Sequence, residues 1–567
     1  MSSAVDFRSI VMWLPICAMA STASLVIGGI LETGGSPYYW IAVALLGFPA
    51  FFSSLVLWPT LIGAWLNSRR PWSPVPIAAR SDAATAVTLA VRNEDVTALR
   101  AHLVRLADQL KTVRAASVDL WLLSDTDDDI IAADELAMIR ELRDSAIPIR
   151  YRRRTAGASR KHGNLLDFAV CQGSGYRYMI VLDADSTVTG FAIEAMIGSI
   201  AEDPRVAVVQ TVPYPSGLNT LYARWLQFGA MLYTPDWVRG TAWLQNGRCA
   251  YWGHNAIIEV AAFVSNGRLP RLPGRPPLGG EILSHDAIES ANFIASGKRI
   301  CLSPADVGSR EQIPANLVDS LARERRWCEG NLQNLRWAAI SGIARDARAG
   351  IVMDAAYYLK SVAYLLLVAD LVIRSATVGF WRSLGAIVAI WLLTVTHKFV
   401  SLAANLLDAG RERLPGDAGR KFWSFGAELV LATLVQPISL LGNLLSVCSI
   451  ARGVSAGWDP QPRGDRELGL RESARRMMPI SSASLAAIVA VAVVLGSEAG
   501  ALLLVMSVGA VAAVPVAWTT SRIRLGVHAR SLGLFLIREE ASVSARPEPG
   551  RGAMDQPRDD RREASTG

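Results

Sequence analysis

Two kinds of hydrophobic pattern divide this chain. Long unbroken apolar runs lie at both ends, and between them apolar residues recur at short periods. The first run spans Ile10 to Ile30 and the second Ile41 to Trp65. As helices rising about 1.5 Å per residue, each covers a hydrocarbon core of about 30 Å. Ala18-Met19-Ala20 has the small-residue look of a signal cleavage site, but the apolar run continues past it and a second follows, so the segment reads as retained. Apolar runs resume near Ile351 and predict spans at Tyr357–Ile373, Ser383–Leu406, Pro479–Leu495 and Ala501–Thr519.

The middle region reads as alternating strands and helices. Ala86–Val91 is a buried-type strand, and Val96, Leu99, Leu103, Leu106 and Leu110 then recur at helical spacing. Val118–Leu123 is a second strand leading to Ser124-Asp125, and Tyr178–Leu182 a third that ends directly at Asp183. Such alternation predicts a mainly parallel sheet, whose ligands bind beyond the carboxyl ends of the strands.

Charge orients the spans. The first loop carries only Glu32, whereas Arg69, Arg70 and Arg80 follow the second span, which places residues 67–350 in the cytoplasm. Residues 425–450 are apolar but contain Glu428 and Pro437. Arg411, Arg413, Arg420 and Lys421 precede them; Arg463, Arg466, Arg471, Arg475 and Arg476 follow. A crossing would put one basic loop outside, so this stretch reads as interfacial or re-entrant, leaving six spans and a cytoplasmic C-terminus. The expected organisation is residues 1–80 with two spans, an α/β cytoplasmic domain at 81–345, and a polytopic α-helical membrane domain at 346–540. That last domain has about four spans and an interfacial or gating segment at 425–478. Residues 541–567 form a polar, Arg-, Pro- and Gly-rich tail expected to be disordered.

Composition agrees: 51% of residues are hydrophobic and only 19% charged, below the roughly 25% of soluble domains. The net charge of +7 comes with Arg crowded beside the spans, so no nucleic-acid partner is expected. The six cysteines form no CxxC pair and the six histidines no HxxxH pair, which leaves no disulfide frame or zinc site.

Four clusters carry candidate chemistry. Asp183-Ala184-Asp185 sets two carboxylates at a strand end, where they can hold a hard divalent cation; alone, such a pair also occurs in solvated turns. Asp125 is a candidate nucleotide contact, whereas Asp127, Asp128 and Asp129 read as a solvated loop capping the next helix. Arg160-Lys161-His162-Gly163-Asn164 can contact phosphate and base through Lys161 and Asn164, or be an ordinary basic loop. Arg152-Arg153-Arg154 reads as a solvated or membrane-facing patch. Ser284-His285-Asp286 offers Asp286 as a base for a sugar hydroxyl, with His285 beside it. In Arg323-Glu324-Arg325-Arg326-Trp327, Arg326 can clamp a diphosphate, Arg323 adds a cation and Trp327 gives a flat face for a sugar ring; the plainer reading is a basic helix with an interface tryptophan.

An isolated Asp, a DxD, a third Asp and an R-W pair in this order resemble the processive family-2 inverting glycosyltransferases, the class of cellulose and hyaluronan synthases. Ser284-His285-Asp286, where that class has a TED-like motif, and Arg323, where it has Gln, depart from cellulose synthases. With Val181–Ser186, Thr220–Arg224, Tyr251–Ala256, Ile282–Asp286 and Arg325–Leu332, they resemble the bacterial glucosyltransferase H family of osmoregulated periplasmic glucan synthases. The likeness runs from Ala84 to Glu540; the short N-terminal region departs from enterobacterial members.

The resemblance implies a glycosyltransferase-A-type cytoplasmic domain inserted in the membrane domain of a bacterial inner-membrane protein. It implies UDP-glucose as donor, a growing glucan as acceptor, and a β-linked product, β-1,2 in the backbone, exported by the same chain. Asp125, Lys161, Asn164, Asp183, Arg323 and Trp327 would bind substrate. Asp183 and Asp185 would hold Mg²⁺, with Mn²⁺ as the alternative, and Asp286, Arg326 and Trp327 would serve catalysis. The lipid bilayer and periplasmic glucan-processing proteins are the further partners implied. By analogy with cellulose synthases, Glu428 supports the interfacial reading, and Trp458-Asp459-Pro460-Gln461 would gate the nucleotide. The alternatives are a cellulose-like synthase, a polyprenyl-phosphate sugar transferase and a non-catalytic nucleotide-sugar sensor.

Overall fold

The computed structural model describes residues 7–540 except 32–36, 71–82, 115–116, 143–148, 155–158, 341–342, 344, 408–413 and 458–461. The expected tail and the gating residues Trp458–Gln461 lie outside the described residues. Ten strands are described: β1 (Thr85–Val91), β2 (Val118–Ser124), β3 (Ile149–Arg153), β4 (Tyr178–Asp183), β5 (Thr187–Val188), β6 (Val206–Gln210), β7 (Tyr214–Pro215), β8 (Ala256–Glu259), β9 (Arg299–Leu302) and β10 (Ser309–Glu311). Seven form one sheet in the order β3-β2-β1-β4-β8-β6-β9, in which only β8 runs antiparallel; β5, β10 and β7 make a small second sheet.

The helices of this unit are α3 (Val96–Leu110), α4 (Asp129–Glu141), α5 (Arg160–Cys171), α6 (Gly190–Ala201), α7 (Leu221–Gln245), α8 (Val260–Asn266), α9 (His285–Ala295) and α10 (Leu317–Ile340). They follow α1 (Phe7–Leu31) and α2 (Pro37–Arg69). The strand sequences alternate between two cores. In β2, Leu120 and Leu122 pack with Leu99, Leu103 and Leu106 of α3, while Leu123 faces the opposite layer with Phe168 of α5. Both faces are thus covered, as a parallel sheet requires. Asp95 caps α3 by accepting from the Ala98 amide, and Asp128 caps α4 by accepting from Ile130 and Ile131, as expected for the acidic loop.

The remaining helices are α11 (Arg345–Val378), α12 (Phe380–Leu407), α13 (Ala418–Ala451), α14 (Leu470–Leu495), α15 (Ser497–Val511), α16 (Ala513–Thr520) and α17 (Ile523–Ser531). Among the described residues, seven helical segments are long and apolar enough to cross a membrane: α1, α2, α11, α12, α13, α14, and α15 with α16. The catalytic unit is seated on α2 by backbone contact: a Cβ at Gly240 of α7 would fall 1.8 Å from the Pro59 carbonyl oxygen, and one at Gly63 would fall 1.7 Å from that of Asp236. Only glycine permits so close an approach.

At 34 residues, α13 is about 50 Å long. At its start Ser424 Oγ accepts from the Phe535 amide, within a segment tied to α7 by Arg224, whose guanidinium pairs with Glu540 at 2.7 Å. At its end Ser449 lies 3.3 Å from Arg325 of α10, and Ser455 donates to Glu329 of α10 at 2.7 Å. The end of α13 therefore meets α10 directly, and its start meets the C-terminal segment that is tied to α7. Along its length Phe422, Trp423, Val430 and Leu445 are exposed, while Lys421, Ser424, Glu428, Asn443 and Ser446 are buried.

Candidate active site

The carboxyl ends of β1, β2 and β4 open onto one crevice. Asp183 is the last residue of β4; its amide donates to Ser186 Oγ at 3.1 Å and the Ser186 amide returns to the Asp183 carbonyl at 2.9 Å, so a tight turn presents Asp185. Lys161, in the first turn of α5, pairs with Asp183 Oδ1 and donates to the Gly253 carbonyl at 2.7 Å. Ser159 and Arg160, which lead into α5, take left-handed φ values of 62° and 49°. Non-glycine residues adopt this conformation at a cost, and such strain concentrates at functional sites. Burial opposes the charge on Asp183, but Lys161, His254 and Arg463 hold its carboxyl well below the usual range.

Asp185 meets a residue that the sequence reading placed only among basic flanks. Arg463 Nη1 lies 2.6 Å from Asp185, and the same guanidinium binds Glu94 through Nε at 3.0 Å and Nη2 at 3.2 Å. Glu94 lies three residues past the end of β1, on the same carboxyl side of the sheet as Asp125 and Asp183. Although burial works against it, Asp185 and Glu94 raise the Arg463 guanidinium above its ordinary value. The segment carrying Arg463 is pinned on either side of the crevice. The Gly464 amide donates to Gln312, Asp465 accepts from the Asn219 amide at 2.7 Å, and Arg466 pairs with Asp319 at 2.6 Å.

Asp125 stands at the end of β2, but Arg154 grips it with two parallel bonds of 2.8 and 2.7 Å and binds Asp167 at 3.0 Å. This corrects the reading of Arg152-Arg153-Arg154 as a solvated patch: Arg154 is 10% exposed, Arg152 bonds Asn164, and Arg153 pairs with Asp129 at 2.8 Å. Asn164 needs a correction too. It is 1% exposed, its Nδ2 donates to the Leu123 carbonyl at 3.0 Å and its Oδ1 accepts from Arg152, so its amide is used inside the fold to hold the end of β2.

Across the crevice, Asp286 lies in the first turn of α9. Burial raises its carboxyl above the ordinary value, with the neighbouring His285 opposing and Glu289 adding to the shift. Gly253, at φ 85°, lies over it: a Cβ there would be 3.7 Å from Asp286 Cβ and 4.0 Å from Oδ2. One short loop therefore touches Asp286 while its carbonyl accepts from the lysine that holds Asp183. On α10, the Arg323 guanidinium stacks 4.5 Å from the Trp327 ring centroid and Trp327 remains 42% exposed. Arg326 is half-buried on the same helix. Glu329, one turn further on, is buried and accepts from Ser455 and the Ala456 amide.

Asp125, Lys161, Asp183 and Asp185 thus lie at the carboxyl ends of the sheet, with Asp286 linked to them through the Gly253 loop, while Arg323, Arg326 and Trp327 lie together on α10. Sequence reasoning missed Glu94, Arg154, Glu289 and Arg463.

Residues 178–408 match the family described as glycosyl transferase family group 2. The chain is 31% identical over 565 residues to the glucans biosynthesis glucosyltransferase H of Rhodopseudomonas palustris, covering 92% of this chain and 77% of that one. It is 33% identical over 480 residues to the protein of the same name from Xanthomonas campestris pv. campestris, covering 80% and 74%. With that of Caulobacter vibrioides it is 30% identical over 575 residues, covering 95% and 85%. Among solved structures, a mannosyltransferase from Pyrobaculum calidifontis in complex with GDP-Man and Mn²⁺ superposes with a TM-score of 0.43 at 16% identity, covering 69% of this chain and 99% of that one.

Proposed function

The chain belongs to the glucans biosynthesis glucosyltransferase H family, a multi-pass membrane glycosyltransferase of family group 2, and on that premise we propose that it polymerises glucose from UDP-glucose into a β-linked glucan backbone. The observation that carries the reading is the Gly253 loop. Through Lys161 it joins Asp183, which stands beside Asp185 at the end of β4, to the half-buried Asp286 on α9, so donor and acceptor chemistry would meet around this loop.

Asp286 takes the proton of the acceptor hydroxyl as that oxygen bonds to the anomeric carbon. The bond from that carbon to the UDP oxygen breaks on the opposite side, and configuration inverts. A base whose carboxyl is raised by burial is closer in proton affinity to its task than an ordinary aspartate. Lys161 and Arg326 supply cationic donors for the diphosphate, and the exposed Trp327 face receives the acceptor sugar. Asp183 and Asp185 are hard oxygen donors of the kind Mg²⁺ or Mn²⁺ takes, and the pairing of Asp185 with the Arg463 guanidinium supports a positive charge at that carboxylate. A divalent ion bound there would neutralise charge on the departing diphosphate.

The two ends of α13 support an interfacial path for that helix, with its exposed apolar face towards lipid. Six crossings then remain and residues 523–540 return to the catalytic side, which the positive flank at Arg69 and Arg70 assigns to the cytoplasm of an inner membrane. The test is synthesis by the purified full chain in lipid vesicles. UDP-glucose with Mg²⁺ should yield UDP and an aqueous polymer, whose linkage analysis tests the β-1,2 expectation. Asp286→Asn should nearly abolish polymer while retaining UDP binding. Product extracting into organic solvent, or UDP-glucose binding without UDP release, would overturn the reading.

A further inference from the structure

Beside Asp286, three titratable side chains meet. His162 of α5 and Glu289 of α9 are buried, and His285 is half-buried. The Nδ1 atoms of both histidines meet the same Glu289 oxygen, Oε1, that of His285 at 3.0 Å. The two rings lie 5.6 Å apart. The same three side chains are a cluster that could hold a metal ion. Ligand atoms on a tetrahedral ion are about 3.3 Å apart, however, and these contacts are shorter, so the arrangement is a hydrogen-bonded one.

Its charge state follows from burial. A carboxylate sealed from water persists only with a positive partner. Burial opposes it, but the charge and hydrogen bonds of His285 and His162 hold the Glu289 carboxyl well below its usual range. His285 is correspondingly raised by Glu289 against its own burial, with Asp286 helping and Lys161 opposing. The shared Glu289 oxygen and these directions favour a carboxylate beside an imidazolium. Such a pair is not needed for stability, because apolar residues of similar volume usually serve as well. What distinguishes this one is its place: the His285 ring and the Asp286 side chain border the same point, each 3.7 Å from where a Gly253 Cβ would stand. Tyr251 from the Gly253 loop and Asp354 from α11 also face Asp286, but neither brings positive charge.

We propose that Glu289 is a positioning residue of the transfer step: held by His162, it fixes His285 as an imidazolium beside Asp286 and so sets the orientation and charge surroundings in which Asp286 takes the acceptor's proton. This rests on the reading of Asp286 as the base. Misplacing a general base costs a large part of the 10²–10⁴-fold that such catalysis contributes.

The experiment uses the full chain in vesicles, with Glu289→Gln, His285→Asn and their double variant. Each single variant should lower kcat by about tenfold or more while the KM for UDP-glucose stays within about twofold. The double variant should fall no further than the worse single one, because both changes break the same unit. His285→Asn should also move the acid limb of the kcat profile to higher pH, since the imidazolium that favours the ionised Asp286 is gone. Wild-type kcat and pH profile in Glu289→Gln, or losses that multiply in the double variant, overturn the proposal. Should Glu289→Gln not fold, an unmoved acid limb in His285→Asn overturns it alone. Asp286→Asn separates the two readings: if active, the base assignment fails; if inactive beside a normal Glu289→Gln, only the positioning role fails.

Discussion

If Asp185 holds a divalent cation as proposed, Arg463 occupies its place, and a quantitative expectation follows. Its guanidinium contacts Asp185 at 2.6 Å and Glu94 at 3.0 Å, with side-chain exposures of 34%, 14% and 21% for the three groups. Unit charges about 4 Å apart interact by about 4 kcal/mol at an effective dielectric of 20. Water screening, side-chain entropy and the desolvation of each group leave a net of about 1.5–3 kcal/mol for a charge-assisted pair of this kind. A metal ion that needs Asp185 must displace that contact, so its apparent affinity is weakened by the same amount. Arg463→Gln should therefore tighten divalent-ion binding by about 10- to 100-fold, at 1.4 kcal/mol per decade. Titration of the vesicle-embedded protein with Mn²⁺, followed by the loss of the free-ion paramagnetic signal, measures this without turnover. UDP-glucose turnover against Mg²⁺ should show the half-saturating concentration shifting the same way. An unchanged or weaker Mn²⁺ affinity in Arg463→Gln would refute the competition and return Arg463 to a purely structural role.

Three further outcomes follow from the same geometry. Asn164→Ala leaves the Leu123 carbonyl without its side-chain donor and removes the Oδ1 acceptor of Arg152, which keeps only its bond to the backbone carbonyl of residue 164. It should cost about 2 kcal/mol, lowering the unfolding midpoint, while the KM for UDP-glucose stays near wild type; a large KM change with no loss of stability would restore Asn164 as a ligand contact. The raised Asp286 carboxyl must be ionised to act as base, so kcat should fall as pH drops through a limb lying above the ordinary aspartate value of about 3.9, and a limb at or below it contradicts the assignment. Gly240→Ala drives a methyl group into the Pro59 carbonyl at 1.8 Å. It should lift α7 from α2, giving a chain that loses its monodisperse detergent-solubilised form; normal behaviour and activity would show that the two helices do not need this approach.

What the sequence made legible divides along a physical line. The strands at β1, β2 and β4, the helix α3 and the position of Asp183 depend on periodicity within a dozen residues, and burial on both faces of the sheet enforces them locally. The order of the DxD, Ser284-His285-Asp286 and Arg326-Trp327 was likewise visible, because each is a short contiguous motif: the first at the end of β4, the second at the start of α9 and the third within α10. Arg154 was misjudged because its value depends on Asp125, 29 residues earlier and on the neighbouring strand. A basic triplet has the same composition whether it faces water or a carboxylate. Glu289 was overlooked because it is one helical turn beyond His285, in a helix where an acidic residue looks like solvated surface. Arg463 could not be found by any local rule, since it reaches Asp185 across 278 residues of chain (463 less 185).

The polar character of these long-range interactions has a consequence for how the site can work. Residues 463–466 are held over the crevice by Glu94, Asp185, Gln312, Asn219 and Asp319, through ion pairs and hydrogen bonds. Among the interactions that pin this stretch, none is an apolar core contact of the kind that seats α3 on the sheet. A neutral hydrogen bond exchanges for water at a net cost of about 0.5–1.5 kcal/mol and a charge-assisted pair at about 1.5–3 kcal/mol. Release of residues 463–466 therefore has its main cost in the ion pairs of Arg463 and Arg466. A diphosphate can take over the guanidinium, and a cation the two carboxylates, so the donor restores in kind the ion pairs that opening breaks. At its start the same connection leaves α13 beside Glu329 of α10, the helix that carries Arg326 and Trp327. On the proposed reading, the connection that leaves α13 beside Glu329 and carries Arg463 links donor binding at the sheet to the position of α10. That coupling is checkable: Glu329→Gln, which weakens the α13 end of the connection, should change the donor concentration dependence in the same direction as Arg463→Gln, and opposite signs would mean the two ends act independently.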